Sequence, residues 1–294
     1  MPHRSHCARA LSCVVLLALI APPLVAWAQA PAAVSGRATP AAPPVTAAEL
    51  AEISERGRAL AGYQQAVWRA YSQLLASKPD PRLVQRYVAY RADSGWVVAF
   101  GRLNVTRDTF FVSHVGIPAV IDGTRVDTLF GVETMETPGP DTDYLVRAAR
   151  AIDTATALFW PRSRPYEAAA LPAPDGSWWV YVLPAPNRAG SWPLGDDMRY
   201  HISRDGRNIL GARRMHVGTI DFDRTKKADD ARFVAGVHNT LVGDVPEDSD
   251  VFHVLTRRPR VFEYVFTPRF LYMINEDGSI RLVLGRGPEV GATR

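Results

Sequence analysis

Asp175-Gly176-Ser177-Trp178-Trp179-Val180-Tyr181-Val182-Leu183 is a turn followed by a strand that is apolar on both faces. Such a strand is covered on both sides. The same order stands earlier, with Asp93-Ser94-Gly95 as the turn and Trp96 to Leu103 as the apolar return strand. Each unit has a shorter strand before the turn (Val84 to Tyr90, Tyr166 to Leu171) and a helix-period segment before that. The expected fold is therefore α+β: an antiparallel sheet, readable as two helix-plus-hairpin repeats, packed by two long helices and followed by a C-terminal antiparallel meander.

The first helix opens at Thr46-Ala47-Ala48-Glu49, the pattern of a capping box. Leu50, Ile53, Leu60, Val67, Tyr71 and Leu74 fall on one stripe at helical spacing up to about Ser77. Gly57 and Gly62 weaken the helix and mark a bend or a close contact. The second helix is capped by Asp141 or Thr142 and runs to Phe159, with Leu145, Ala148, Ala149, Ile152 and Leu158 as its apolar set. Thr137-Pro138-Gly139-Pro140 reads as a break, and Val120 to Thr134 as a hairpin around Asp122-Gly123. In the second half, Arg199 to Ser203 and Asn208 to Arg213 form a hairpin that Met215 to Phe222 continues. Thr225 to Asp230 is a charged loop. Strands are expected at 233–241, 261–266, 270–275 and 280–284.

The N-terminus predicts export. Arg4 and Arg9, the apolar run from Leu11 to Val25 and Ala26-Trp27-Ala28 follow the order of a secretory signal peptide, here residues 1–28. Residues 29–45 are an Ala/Pro-rich tether, residues 46–285 a single α+β domain (with 46–136 and 140–285 as candidate sub-units), and 286–294 a frayed tail. Both cysteines, Cys7 and Cys13, lie in the signal, which leaves a mature chain without disulfides, thiolate nucleophiles or cysteine-bound metal. The expected location is secreted or periplasmic, with no transmembrane span after cleavage. Lysine scarcity beside many Ala, Pro and Arg reads as bacterial composition bias. The formal charge of +4 falls to about +2 without Arg4 and Arg9, and the arginines are scattered, so no nucleic-acid partner is expected.

No nucleophile elbow, phosphate-binding loop, dinucleotide fingerprint or H-E-x-x-H pair is present. The function expected first is a non-catalytic cell-envelope module binding a protein or a small ligand, with no cofactor. The alternative is a hydrolase dependent on a divalent metal such as zinc. The C-terminal half holds His201, His216, His238 and His253 among Asp221, Asp223, Asp244, Glu247, Asp248 and Asp250, and two histidines with a carboxylate suffice for such an ion. His216, His238, Asp244 and His253 are the candidate ligands, with Asp250 and His253 as the candidate catalytic pair. His216 and His238 are expected to point out of the core into a shared cleft. That reading requires donor atoms of at least three residues within about 4–5 Å of one another.

Whether residues 249–255 form a helix decides the pair, because Asp250 and His253 share a face only at helical spacing. Acids before the segment and Arg257-Arg258 after it favour a short helix, with Asp248 or Ser249 as the cap. Capping and solvation account for the remaining acids. A third alternative is an apolar-ligand carrier lined by Trp178, Trp179 and Trp192, which requires a closed apolar cavity of roughly 300 Å³ or more touching them.

Overall fold

Thr46 caps the first helix in the computed structural model, which describes residues 45–121, 124–159, 164–223 and 234–285. The Thr46 hydroxyl accepts from the Glu49 amide at 3.2 Å, and Glu49 accepts from the Thr46 amide at 2.8 Å. From this capping box, helix α1 runs over Ala47–Ala76. Strands β1 (Arg86–Ala92), β2 (Gly95–Leu103), β3 (Phe110–Ile121) and β4 (Thr124–Asp141) then form an antiparallel meander in that order. Helix α2 (Tyr144–Leu158) precedes a second four-stranded antiparallel sheet of β5 (Tyr166–Pro172), β6 (Trp178–Pro184), β8 (Met198–Ile202) and β9 (Ile209–Arg214). Helix followed by four-stranded meander thus occurs twice.

The second unit carries an extra strand, β7 (Ser191–Gly195), which pairs with β10 (Thr219–Asp223). The expected strand from Met215 is therefore shorter and belongs to a different ladder; residues 215–218 form a loop that carries His216. The last sheet holds β11 (Gly236–Asn239), β12 (Glu263–Phe266), β13 (Phe270–Ile274) and β14 (Ile280–Gly285). It is antiparallel except for β11 and β12, which run parallel because helix α3 (Asp248–Thr256) lies between them in the chain.

Two cores explain the doubly apolar strands. Ala89, Val98, Tyr181 and Leu183 join the cluster under α1 and α3. Their neighbours Val88, Ala99, Val180 and Val182 join the cluster under α2. Alternate residues of β1, β2 and β6 thus face opposite helices, as the period of a strand dictates. Gly57 and Gly62 are close-contact positions. A Cβ at Gly57 would lie 2.4 Å from Val251 Cβ on α3, and one at Gly62 would lie 2.4 Å from Trp96 Nε1 on β2.

Several expectations need correction. Tyr71 and Leu158, placed on the apolar stripes, are 43% and 64% exposed. The stretch 137–140 does not break the chain but continues β4, with Phe111 opposite Pro140 and Val112 opposite Gly139. Because β4 is an edge strand, its prolines remove no hydrogen bond that a further neighbour needs. Asp141 does not cap α2 by position, since the N-cap is Asp143, but its Oδ1 accepts from the Asp143 and Val146 amides. Residues 225–230, the expected signal and the expected tether up to residue 44, and the tail from residue 286 lie outside the described residues. No helix among the described residues is long and apolar enough to cross a membrane.

Candidate metal centre

Helix α3 is buried along its whole length, Asp248 and Asp250 included. The residues from 249 on do form a helix, with Glu247 rather than Asp248 or Ser249 as the N-cap. Its acids are neither solvated nor free. Asp248 takes Arg56 Nε at 3.1 Å, the Tyr181 hydroxyl at 2.8 Å and Arg199. Glu247 takes Arg213 Nε at 3.0 Å, and burial raises its pKa. Asp250 divides its oxygens: Oδ2 accepts from the Glu247 amide at 2.8 Å, and Oδ1 points away from the helix end.

Two histidines meet that Oδ1. His216 Nε2 lies 3.0 Å from it and His238 Nε2 2.9 Å. One donor atom from each of the three residues falls within 4.8 Å of the others. Apart from these ion-pair contacts with one another, His216 Nε2, His238 Nε2 and Asp250 Oδ1 are buried without a partner. Three polar atoms that converge on one point and have no other partner are what ligands of one ion look like. His216 comes from the loop between β9 and β10. His238 comes from β11, where Val237 and Asn239 are the exposed neighbours. The expected outward orientation is thus reversed, and the histidines face the interior.

The far nitrogen of each ring is held by a second carboxylate. His216 Nδ1 lies 2.9 Å from Asp197 Oδ1, and His238 Nδ1 lies 2.8 Å from Glu263 Oε1. A carboxylate on Nδ1 keeps the proton there, frees the Nε2 lone pair and raises its basicity, the usual support for a metal-bound imidazole. Glu263 in turn pairs with Arg257. Gly236, paired with Glu263 in the parallel ladder, has to lack a side chain: a Cβ there would fall 1.7 Å from Glu263 Oε2.

The charge does not close with neutral histidines. Asp197, Asp250 and Glu263 are buried against one buried guanidinium, Arg257, which leaves two negative charges uncompensated. A divalent cation neutralises that deficit. Protons answer the same demand: burial opposes the charged forms, yet Asp250 and Asp197 hold the His216 pKa up to about 11, and Asp250 and Glu263 hold that of His238 at about 9. Burial disfavours the Asp250 carboxylate, but the two histidines lower its pKa below the usual range.

His253 lies one turn beyond Asp250 on α3. Its ring packs 4.5 Å from Phe222, and its Nε2 is buried without a partner. Burial, with Arg257 and His238 adding to it, drives its pKa well below the ordinary value, so the ring is neutral. Asp244 does not join the group; it pairs with Arg269 at 2.7 Å. Asp221 pairs with Arg164 and Asp223 with Arg188.

His201 stacks on Trp179 and lies 2.6 Å from Ser177 Oγ, which suggests a nucleophile. Its carboxylate is misplaced for that work. Asp175 Oδ2 stands 3.9 Å from the same Nε2, and Asp175 Oδ1 accepts from the Ser177 hydroxyl and amide. A base of the serine type needs the acid on its other nitrogen. These three residues close the turn before β6.

The three tryptophans do not share a cavity. Trp178 is core, edge-on to Tyr144 at 5.2 Å, and its Nε1 donates to the Arg204 carbonyl. Trp179 lines an open cleft, and Trp192 a separate space of about 20 Å³. The supporting roles of Asp197, Glu263 and Arg257, and the ion-pair cluster around Asp248, are not legible in the sequence. Their one local signal was an acid opening the otherwise apolar run Glu263-Tyr264-Val265-Phe266. No protein family, curated protein or solved structure matches this chain.

Proposed function

We propose that this chain is an exported metalloprotein that binds one divalent transition-metal ion, zinc by preference, through His216 Nε2, His238 Nε2 and Asp250 Oδ1. The observation that carries the reading is the convergence of three buried donor atoms that have no polar partner but one another, two of them on rings backed by carboxylates. Imidazole nitrogen and carboxylate oxygen suit zinc, and the cysteine-free mature region offers no thiolate. Two histidines and one carboxylate are the protein share of a hydrolytic zinc site, which keeps a position for water. In that role a bound ion would acidify a water molecule, and His253, one turn further along α3, stays neutral and adds no positive charge beside the three ligands. Export is supported by the basic, apolar and small-residue order of residues 4–28.

A second reading is favoured by burial. The side chains of His238 and Asp250 are 1% and 0% exposed, as in a structural clamp that ties β11, α3 and the 215–218 loop together without chemistry. Elemental analysis after native purification, and again after chelation and zinc reconstitution, tests the common claim. The expected result is about one ion per chain, lost in His238→Ala. Failure of the wild-type protein to take up stoichiometric metal refutes both readings. Cobalt(II) substitution then separates them: a visible spectrum that shifts on adding acetohydroxamate marks an open coordination position and hydrolysis, whereas an unchanged spectrum marks the clamp.

A further inference from the structure

A cleft of about 920 Å³ opens between α1, β1, β2, the start of α2, β5 and β6, and no residue of the metal centre lines it. Its volume is at the upper end for small-ligand sites, which run to about 1,000 Å³. Four elements contribute one aromatic ring each: Tyr90, Trp96, Tyr144 and Trp179. These rings are fixed in place. Trp96 stands edge-on to buried Tyr63 at 6.0 Å, Tyr144 leans on Tyr90 at 5.9 Å, and Trp179 is stacked on His201 at 4.4 Å. All four remain partly exposed.

Hydrogen-bonding groups surround the rings. Arg91 makes no ion pair among the described residues, and its guanidinium lies 6.0 Å from the Trp96 ring centroid. Among the described residues, Arg58 donates from Nε to the Asp277 carbonyl. Glu55 makes no ion pair or hydrogen bond among the described residues, and Glu52 has one long contact of 3.6 Å to Arg56. Donor forks and acceptor forks therefore stand side by side with nearly balanced charge.

That combination selects the ligand by exclusion. An alkyl chain would strip water from guanidinium and carboxylate without replacing it. A polyanion meets Glu52 and Glu55, and a polycation meets Arg58 and Arg91. A sugar ring has an apolar C–H face to lay on an aromatic ring and a rim of hydroxyls that both donate and accept. We propose that this cleft binds a neutral oligosaccharide, with Tyr90 and Trp96 as stacking platforms, Trp179 as a wall already stacked by His201 and Arg199, and Arg58, Arg91 and Glu55 reading the hydroxyls. The proposal is independent of the metal.

The test is calorimetric titration of the full chain with cellotriose, maltotriose and tri-N-acetylchitotriose, with decanoate as the competing chemistry. Arg91→Ala and Glu55→Ala probe the rim; both residues are exposed on strand and helix surfaces, so folding is checked simply by an unchanged melting temperature. The expected result is saturable binding of at least one trisaccharide with a Kd under about 1 mM, weakened roughly tenfold or more in each variant. Absence of saturable binding for all three sugars overturns the proposal. So does sugar binding of equal strength in both variants, or binding of decanoate in place of the sugars. Retention of the sugar affinity after chelation is expected and keeps this result separate from the fate of the metal reading.

Discussion

Asp248→Asn removes one charge from a fully enclosed carboxylate while keeping its size. In the wild type this carboxylate accepts from Arg56, Arg199 and the Tyr181 hydroxyl, and it is fully buried. Asparagine retains one acceptor oxygen, enough for the tyrosine, and leaves no cavity. It also turns an NH₂ toward two guanidiniums that have lost their counter-charge. Breaking a buried ion pair from one side costs about 3–5 kcal/mol. Arg56 and Arg199 keep 25% and 16% side-chain exposure, so water recovers part of their solvation. The lower end, about 3 kcal/mol, is therefore the expected loss. For a domain of this size that lowers the melting temperature by about 6–12 °C. Thermal and urea melts followed by circular dichroism measure it, with an unchanged m-value as the sign that the native state is otherwise intact. A fall of less than about 3 °C would refute the reasoning, because it would mean that the cluster does not hold α3 in place.

Asp197→Asn leaves all three proposed ligands in place and weakens zinc binding by about 10–100-fold, as loss of a histidine's supporting carboxylate does; competition with a chromophoric chelator reads it, and an unchanged affinity counts against the centre. Gly57→Ala gains helix propensity of about 1 kcal/mol but drives a Cβ to 2.4 Å from Val251 Cβ, so a net loss is expected from overpacking of about 1–3 kcal/mol; a stabilised variant in chemical denaturation would contradict the α1–α3 contact. Glu167 is half-buried among neutral donors, with Gln64 at 2.5 Å and Trp68 at 3.0 Å, and desolvation raises its pKa. The folded state therefore holds this proton more tightly than the unfolded chain. Its contribution is present below the unfolded pKa near 4.3 and is lost as pH rises through the folded value. Glu167→Gln is expected to melt higher than wild type at pH 8 and to lose that advantage toward pH 4; a gap that widens on acidification would reverse the sign and the argument.

Local chemistry made much of the architecture readable. The Thr46-x-x-Glu49 box sets the start of α1, and the order of acids before arginines picks the helix for residues 249–255 against their β-branched content. The strand beginning at Trp178 announces its double burial through its composition. What failed was non-local. Pro138 and Pro140 look like a break unless β4 is known to be an edge. Val237 and His238 alternate as a strand should, but the apolar residue is the one outside, 56% exposed, because Asp250 and Glu263 make the interior polar at that point. Asp197 and Glu263 carry little local sign of what they do; each supports a histidine 19 or 25 residues away. The histidines and Asp250 could be named from the sequence as a set, but their meeting depends on a loop, a parallel strand pair and a helix end that no spacing rule describes.

The pairing of Arg56 with Asp248 across 192 residues has a kinetic side. Helix α1 is the first described element of the chain, yet one of its main partners, α3, is among the last. The surface around Gly57 that receives Val251 stays uncovered until nearly the whole sequence is available. Contacts of such separation cost loop-closure entropy before they return any stabilisation, which slows folding. The β1–β4 meander can cover part of α1 early, while the segment that holds His216, His238 and Asp250 is ordered only when the two ends of the chain meet. A truncated or stalled chain would therefore keep its first sheet and lack the centre entirely. Uptake of the proposed metal would, on this topology, report that synthesis and folding have both reached completion.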